Sequence, residues 1–506
     1  YAAGITLYAA EHPDKVLPRF PAPSADDIAA GFVFFTPLFF GLERHIRDLF
    51  EPTRQYEVST GEGGGSNAMA VAPSRSADGY TRLLINSHQP YTGPLAWYEV
   101  RLKSDEGWDM AGGVFPGSPF ILHGFGPHLG WANTVNNPDL TDVYVLTINP
   151  DNANQYKFDG KWLDFQRSEA EIQLRVLGPI AIRVKREVLW SVHGPVIERP
   201  HGAYAVRYAT MDRINQVQAY YELNKAQRME TFLKALELQA VPSQNYTFAD
   251  SQGRIAYIYN AMFPKRDPAY DWQKYLPGDT SRTLWTEYLP FGSAVPTVRE
   301  PKSGFVYNAN NTPFAASGGG DNPKPADFSP TLGIEARETN RGLRLGELLG
   351  ADPSITREEF RAIKFDKIYS QRSELAKVIA EVLAMDFSAA PDAALMGKAQ
   401  EVLRGYDLSA DAANRGAALA VMTGLPVVAP TFAGKPRGNV AAALRKAAQT
   451  LMTHYGRLDP AWGEVNRFRR GTIDAPADGG PDVLRDFEAA LEPGAKLRHR
   501  RRQHED

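Results

Sequence analysis

Between Ser66 and about residue 310 the chain alternates short β-rich runs with Gly, Pro and Asn turns, and this texture constrains the fold more than any other feature. The runs fall at residues 81–85, 97–102, 142–148, 172–176 and 180–185 and are rich in β-branched and aromatic side chains, which suit a pleated, half-buried surface. Asp159-Gly160 and Gln252-Gly253 are hairpin-type turn signals. One helix is expected to interrupt, at about 228–239. Both flanks change to helical periodicity. Residues 1–50 read as mostly helical, with Ser24 as an N-cap and Asp26 and Asp27 in the first turn. After about residue 335, helices are expected at 341–349, 357–365, 373–385, 394–404 and 439–454. Helix, sheet, then helix predicts an α+β fold, its sheet core covered by helices from both chain ends. No internal repeat interrupts that order.

Composition narrows the chemistry. Residues are 43% hydrophobic, 23% charged and 11% aromatic, so a buried core is expected rather than disorder. The formal net charge of −3 supplies no basic field for nucleic acid or an anionic membrane, apart from a basic run at 498–502. Neither partner is expected. There is no cysteine, which removes thiolate nucleophiles, disulfides, Cys-ligated zinc and Fe–S clusters. No apolar stretch reaches bilayer length; the nearest, 31–42, contains Pro37. His123 and His128 are not spaced as a metal site and read as structural.

Gly61-Glu-Gly-Gly-Gly breaks any preceding element and runs directly into Ser66 and an apolar β run. On these residues alone, a glycine-rich loop before a strand is the simpler reading. The alternative starts from the weakness of a serine hydroxyl as a nucleophile without a base. A chain cut before Ser66 carries a free α-amino group beside that hydroxyl. Such a group has a pKa of roughly 7.7–8.0 and can serve as the general base itself. Gly65 leaves the carbonyl to be attacked unhindered.

Four segments carry a resemblance: Gly65-Ser66-Asn67-Ala68, Leu84-Ile-Asn-Ser-His88, Leu129-Gly-Trp-Ala-Asn-Thr-Val135 and Phe305-Val-Tyr-Asn-Ala-Asn310-Asn-Thr-Pro. In order and spacing they resemble the penicillin-acylase family of N-terminal-nucleophile hydrolases, from residue 1 to about 488. Trp462-Gly-Glu-Val-Asn-Arg and Gly479-Gly-Pro-Asp-Val-Leu also match. The resemblance implies an αββα sandwich and self-cleavage at Gly65–Ser66 into α and β chains. It also implies a periplasmic or secreted location and hydrolysis of a small-molecule N-acyl amide. Residues 1–51 would be the end of the α chain, 52–65 a linker, and 66–493 the β chain, with a helical region at about 335–460. Residues 494–506 would be an atypical basic tail, reading as a frameshift or fragment boundary. Tyr1-Ala-Ala-Gly-Ile-Thr is similar to a mid-α motif, so an N-terminally truncated α chain is expected.

The same resemblance implies roles. Ser66 would be nucleophile, and the Val135 N–H and Asn310 amide the oxyanion donors. Arg341 would hold the amine and the oxyanion-side residues. Without the family, Asn308, Asn310 and Asn311 cannot be told apart. His88 points to the acyl-homoserine-lactone, aculeacin and cephalosporin acylases, since typical penicillin G acylases carry Gln there. Asp139-Leu-Thr-Asp142 offers hard oxygen ligands of the kind calcium takes. The resemblance implies one Ca²⁺ held by Asp139, the Thr141 carbonyl, Asp142 and Asp321, and no organic cofactor. Phe32, Phe35 and Phe39 read as core, or as one wall of an acyl pocket. Acyl-homoserine lactones are the first expected substrate, β-lactam side-chain amides the second. An inactive fragment or binding-only relative is the remaining alternative.

Overall fold

A computed structural model describes residues 1–16, 21–53, 65–90, 92–177, 180–432 and 435–486. Most of the expected linker, and the basic tail, lie outside the described residues. The N-terminal helices are Ala2–Glu11, Ala25–Phe39 and Leu42–Leu49. Ser24 caps the second: its Oγ accepts from Asp27 N, and the Asp27 carboxylate accepts from Ser24 N. This reciprocal cap satisfies donors that the first turn leaves unpaired. Among the described residues no single helix is long and apolar enough to cross a membrane. Ala25–Phe39 and Leu42–Leu49 reach that length only as a pair bent by 63°.

The expected layers are present. Strand Gly65–Val71 lies antiparallel between Arg82–His88 and Phe305–Asn308. Side chains on a strand alternate between faces. Met69 and Val71 point outward and pack with Phe305, Tyr307 and Leu345, the last on helix Asn340–Ala351. Ala70 and Val306 point inward, toward the facing seven-stranded sheet, from which Thr134 and Asn245 donate to Asn308 Oδ1 across the gap. Helices Gln216–Lys225 and Met229–Leu236 cover that sheet's far side, where Phe232 is fully buried against Trp131 at a ring separation of 5.7 Å. Burying one such ring contributes about 1.5–3 kcal/mol. Ser66 shares the parity of Ala68 and Ala70, so its side chain enters between the two sheets.

A six-stranded sheet adjoins this core and carries the long hairpin Gln166–Leu177/Ile180–Ser191. The Asp159-Gly160 turn forms as expected, with φ of 45° and 77° between paired strands Asn152–Phe158 and Lys161–Asp164. The C-terminal helices build a separate core around Trp462. Two helices there and elsewhere differ from expectation. Ala417–Phe432 continues through Pro426 and Pro430. A proline inside a helix costs about 3 kcal/mol, but Leu419, Val421 and Val427 of this helix are all buried, and that burial offsets the break. Gln216–Lys225 mixes polar and apolar residues and shows its buried face only against the sheet.

Candidate active site

Strand pairing explains the 22-residue spacing of Ser66 and His88. The two strands form one antiparallel pair in which Gly65 lies opposite His88 and Ser66 opposite Ser87. The His88 ring sits directly on Gly65: a Cβ there would lie 2.3 Å from His88 Nδ1 and 3.2 Å from Asp486 Oδ2. Ser66 is buried, and its Oγ donates to the Gly65 carbonyl oxygen at 2.6 Å. Ser66 N donates to Asn310 Oδ1 at 2.7 Å, and Arg341 Nη1 donates to the Ser66 carbonyl at 2.7 Å. The peptide is thus clamped on both sides of the hydroxyl.

The three neighbouring asparagines separate by role. Asn308 Oδ1 accepts from Thr134 Oγ1, Asn245 Nδ2 and Asn310 N. Asn311 accepts from Ala309 N and donates to the Thr312 and Ala315 carbonyls. Both lock the loop. Asn310 alone reaches Ser66, from a left-handed backbone with φ of 62°, a conformation asparagine tolerates. Its Nδ2 donates to the Val135 carbonyl at 2.8 Å. Val135 is therefore at the site, though its carbonyl engages Asn310 in this uncut chain. Glu335 fastens the segment beyond it, accepting from Asn137 N at 3.3 Å and from the Tyr259 hydroxyl. Burial pushes the Glu335 carboxyl up to about 7.

Arg341 is a buried residue rather than a surface one. Thr339 Oγ1 caps its helix through Gly342 N and also donates to the Ala309 carbonyl. Gly342 allows the close approach, since a Cβ there would lie 2.8 Å from the Asn311 side chain. The guanidinium then spreads over four partners. Nη1 also donates to Asn67 Oδ1 at 2.8 Å, Nη2 to Asn310 Oδ1 at 3.2 Å, and Nε to Asp482 Oδ1 at 3.0 Å. Burial pushes the Asp482 carboxyl up, and Arg341 opposes the shift.

Three further site residues lie in or just after the Gly479-Gly-Pro-Asp-Val-Leu run, to which the sequence alone assigns no role. Asp482 holds Arg341, the Leu484 carbonyl accepts from Asn67 Nδ2 at 2.9 Å, and Asp486 Oδ2 lies 2.9 Å from His88 Nδ1. All three come from the segment that returns from the helical region. Its Gly479-Gly-Pro-Asp-Val-Leu run was recognisable as family-like, but a role for it is visible only in three dimensions. The other ring nitrogen, His88 Nε2, faces Asn86 Nδ2 at 3.1 Å and Asn67 Nδ2 at 3.4 Å.

The expected calcium ligands do not assemble. Arg266, with a fully buried side chain, places its guanidinium between Asp139 and Asp142. Asp321 stands apart, accepting from Ser303 N at 2.8 Å, and Thr141 lies within strand Thr141–Leu146. Among the described residues no cluster of three or more His, Asp or Glu side chains is arranged to hold a metal. Burial pushes the Asp139 and Asp142 carboxyls up while Arg266 pulls them down. His123 and His193 are structural, held neutral by burial that lowers each to about 4.

The three phenylalanines part company. Phe32 joins the sheet core, edge-on to Phe120 at 5.8 Å. Phe39 meets Phe115 at 5.9 Å, and Phe115 stacks on Trp97 at 4.2 Å. Phe35 is 64% exposed and, among the described residues, meets only the Phe34 ring and lines no enclosed pocket. Its position on helix Ala25–Phe39 turns it away from the face that packs on the core.

The chain resembles the acyl-homoserine lactone acylase PvdQ of Pseudomonas savastanoi pv. phaseolicola, 25% identical over 475 residues, covering 84% of this chain and 60% of that protein. PvdQ of Pseudomonas putida is 31% identical over 211 residues, 40% of this chain and 27% of the relative. Penicillin G acylase of Escherichia coli is 25% identical over 264 residues, 49% of this chain and 30% of the relative. The chain thus spans at most about 60% of the length of these relatives. The solved penicillin G acylase from Alcaligenes faecalis superposes with a TM-score of 0.58 at 18% identity, covering 77% of this chain and 79% of that one, which shows a shared fold. The penicillin amidase family model matches residues 8–501, and the chain belongs to that family.

Proposed function

We propose that this chain is the precursor of an amidohydrolase that cuts itself between Gly65 and Ser66, then hydrolyses N-acylated small molecules through a Ser66 acyl-enzyme. One observation carries the reading: Ser66 Oγ is held 2.6 Å from the Gly65 carbonyl oxygen while Asn310 and Arg341 clamp the N–H and carbonyl of the same residue. In self-cleavage, Oγ attacks the Gly65 carbonyl carbon, the bond to Ser66 N breaks, and the nitrogen takes the hydroxyl proton. Water hydrolyses the resulting ester, leaving a Gly65 carboxylate and a free Ser66 amine.

That amine then serves as base. It takes the Oγ proton as Oγ attacks the substrate carbonyl, and the proton passes to the leaving amine. Water releases the acyl group as a carboxylic acid. The oxyanion falls to the Val135 N–H and to Asn310 Nδ2, which must exchange the Val135 carbonyl for the substrate oxygen. Each such donor typically contributes about 10²–10³ in rate. His88, flanked by Asp486, stands at the amine side of Ser66. Calcium is given no part, because Arg266 occupies the aspartate loop.

Acyl-homoserine lactones are the favoured substrates. His88 and the names of the Pseudomonas relatives support them, and the Phe39, Phe115 and Trp97 rings suit an acyl chain worth about 0.8 kcal/mol per buried CH₂. β-Lactam side-chain amides are the second reading, supported by likeness to the Escherichia coli enzyme. An exported location, which family likeness suggests, belongs to the same proposal. Intact-mass analysis tests the processing: a fragment beginning at Ser66 is expected, and a chain that stays whole overturns the reading. A panel of N-acyl homoserine lactones and penicillins with free-amine detection decides the substrate.

A further inference from the structure

The Asp139–Asp142 loop is built like a cation site, and a cation is already in it. Arg266 Nη1 donates to the Asp139 carbonyl at 2.9 Å, to Asp139 Oδ2 at 3.1 Å and to the Thr331 carbonyl at 3.0 Å. Nη2 donates to Asp142 Oδ1 and Oδ2, both at 2.9 Å, and faces Asp139 Oδ1 at 3.4 Å. Two carboxylates and two backbone carbonyls converge on one guanidinium, and that is the hard-oxygen set a divalent ion such as Ca²⁺ would take. The fork is pinned as well as paired: its side chain is fully buried, and its carbon lies 5.1 Å from the Trp272 ring centroid. Trp285 Nε1 holds Asp142 Oδ2 from the other side at 2.6 Å.

We propose that Arg266 is the resident cation of this loop, taking the place of a divalent ion, so that the folding and stability of this chain do not depend on calcium. An ion could enter only by displacing a guanidinium whose side chain is fully buried. The arginine is held covalently, so no chelator removes it. Cutting Arg266 back would leave two buried carboxylates and two carbonyls facing each other, which cannot persist without a counter-charge. The arginine-deleted loop therefore becomes a divalent-cation site.

The test uses the whole chain and its Arg266→Ser variant, with elemental analysis after dialysis and thermal melting in EDTA or in millimolar calcium chloride. The wild type is expected to retain no stoichiometric calcium and to melt at the same temperature in both buffers. One calcium retained per chain, or a melting temperature that falls in EDTA and returns with calcium, overturns the proposal. Arg266→Ser is expected to melt roughly 5–10 °C lower in EDTA and to recover in calcium but not in potassium. A folded Arg266→Ser protein as indifferent to calcium as the wild type also overturns it, because the arginine would then be an ordinary ion-pair partner. Should that variant fail to accumulate, the elemental analysis and melting of the wild type decide alone.

Discussion

His88 packs so closely on Gly65 that a single added methyl group at residue 65 would lie 2.3 Å from its Nδ1. The close approach of the histidine therefore requires a glycine before Ser66. Gly65→Ala must push the ring away from Asp486. Overpacking of this kind costs about 1–3 kcal/mol, so self-cleavage should slow by roughly 10–100-fold. Densitometry of precursor against β chain over time reads it; processing at the wild-type rate would contradict the contact.

Asn310→Ala removes the acceptor for Ser66 N and the amide assigned to the oxyanion together. Activity should fall by at least about 10²–10³. Val135→Ala should be mild, because only its backbone is used. Comparable small losses in kcat/KM for both would remove Asn310 from the site.

Arg341→Lys keeps the charge but loses the fork that joins Ser66, Asn67, Asn310 and Asp482. A lysine ammonium cannot reproduce four planar donations. We expect accumulation of uncut precursor with the far-ultraviolet spectrum unchanged, and a lysine variant that matures normally would refute the clamp.

Glu335 supplies a pH dependence. Its folded carboxyl lies near 7, above the unfolded value of about 4.5, so its contribution to stability is full below about 4.5 and is lost as pH rises through 7. Glu335→Gln, which stays uncharged, should flatten the decline in melting temperature between about pH 5 and 8. An equally steep decline in the variant would assign the effect elsewhere.

The aromatic helix gives a contrast. Phe35→Ser should leave both stability and acyl preference unchanged, since the ring stands in solvent. Phe32→Ala opens a gap beside Phe120 and Tyr220 and should cost about 3 kcal/mol, read by urea melts.

Features written in adjacent residues were legible. The Ser24 cap, the Asp159-Gly160 turn and the helix–sheet–helix order each rest on local spacing, and each formed. Ser66, His88, Val135 and Asn310, which four short motifs foreshadowed, do come together with Arg341, which the family resemblance suggested. What local spacing does not carry is long-range. Arg266 is 124 residues from Asp142, and nothing near the aspartates announces it. Asp321 shares a residue type with Asp139 and Asp142 but not a location. Helix Ala417–Phe432 was hidden because its prolines read as stops, and only tertiary burial overrules them. Asp482 and Asp486 lie, among the described residues, six helices beyond the one that carries Arg341, and look like ordinary turn acids.

Asn67 and Leu484 meet although 417 residues separate them in the chain. A ribosome adding about 5–20 residues per second needs roughly 20–80 s to travel that distance. Throughout that interval Ser66 has emerged, yet the carboxylates that brace Arg341 and His88 do not exist. The closing segment thus acts as a timer: on the proposed reading, the cut is withheld until residues 482–486 have been made and threaded home. Appearance of the new amino terminus would then be a receipt for synthesis through residue 486, and a chain stalled anywhere in the helical region would stay uncut.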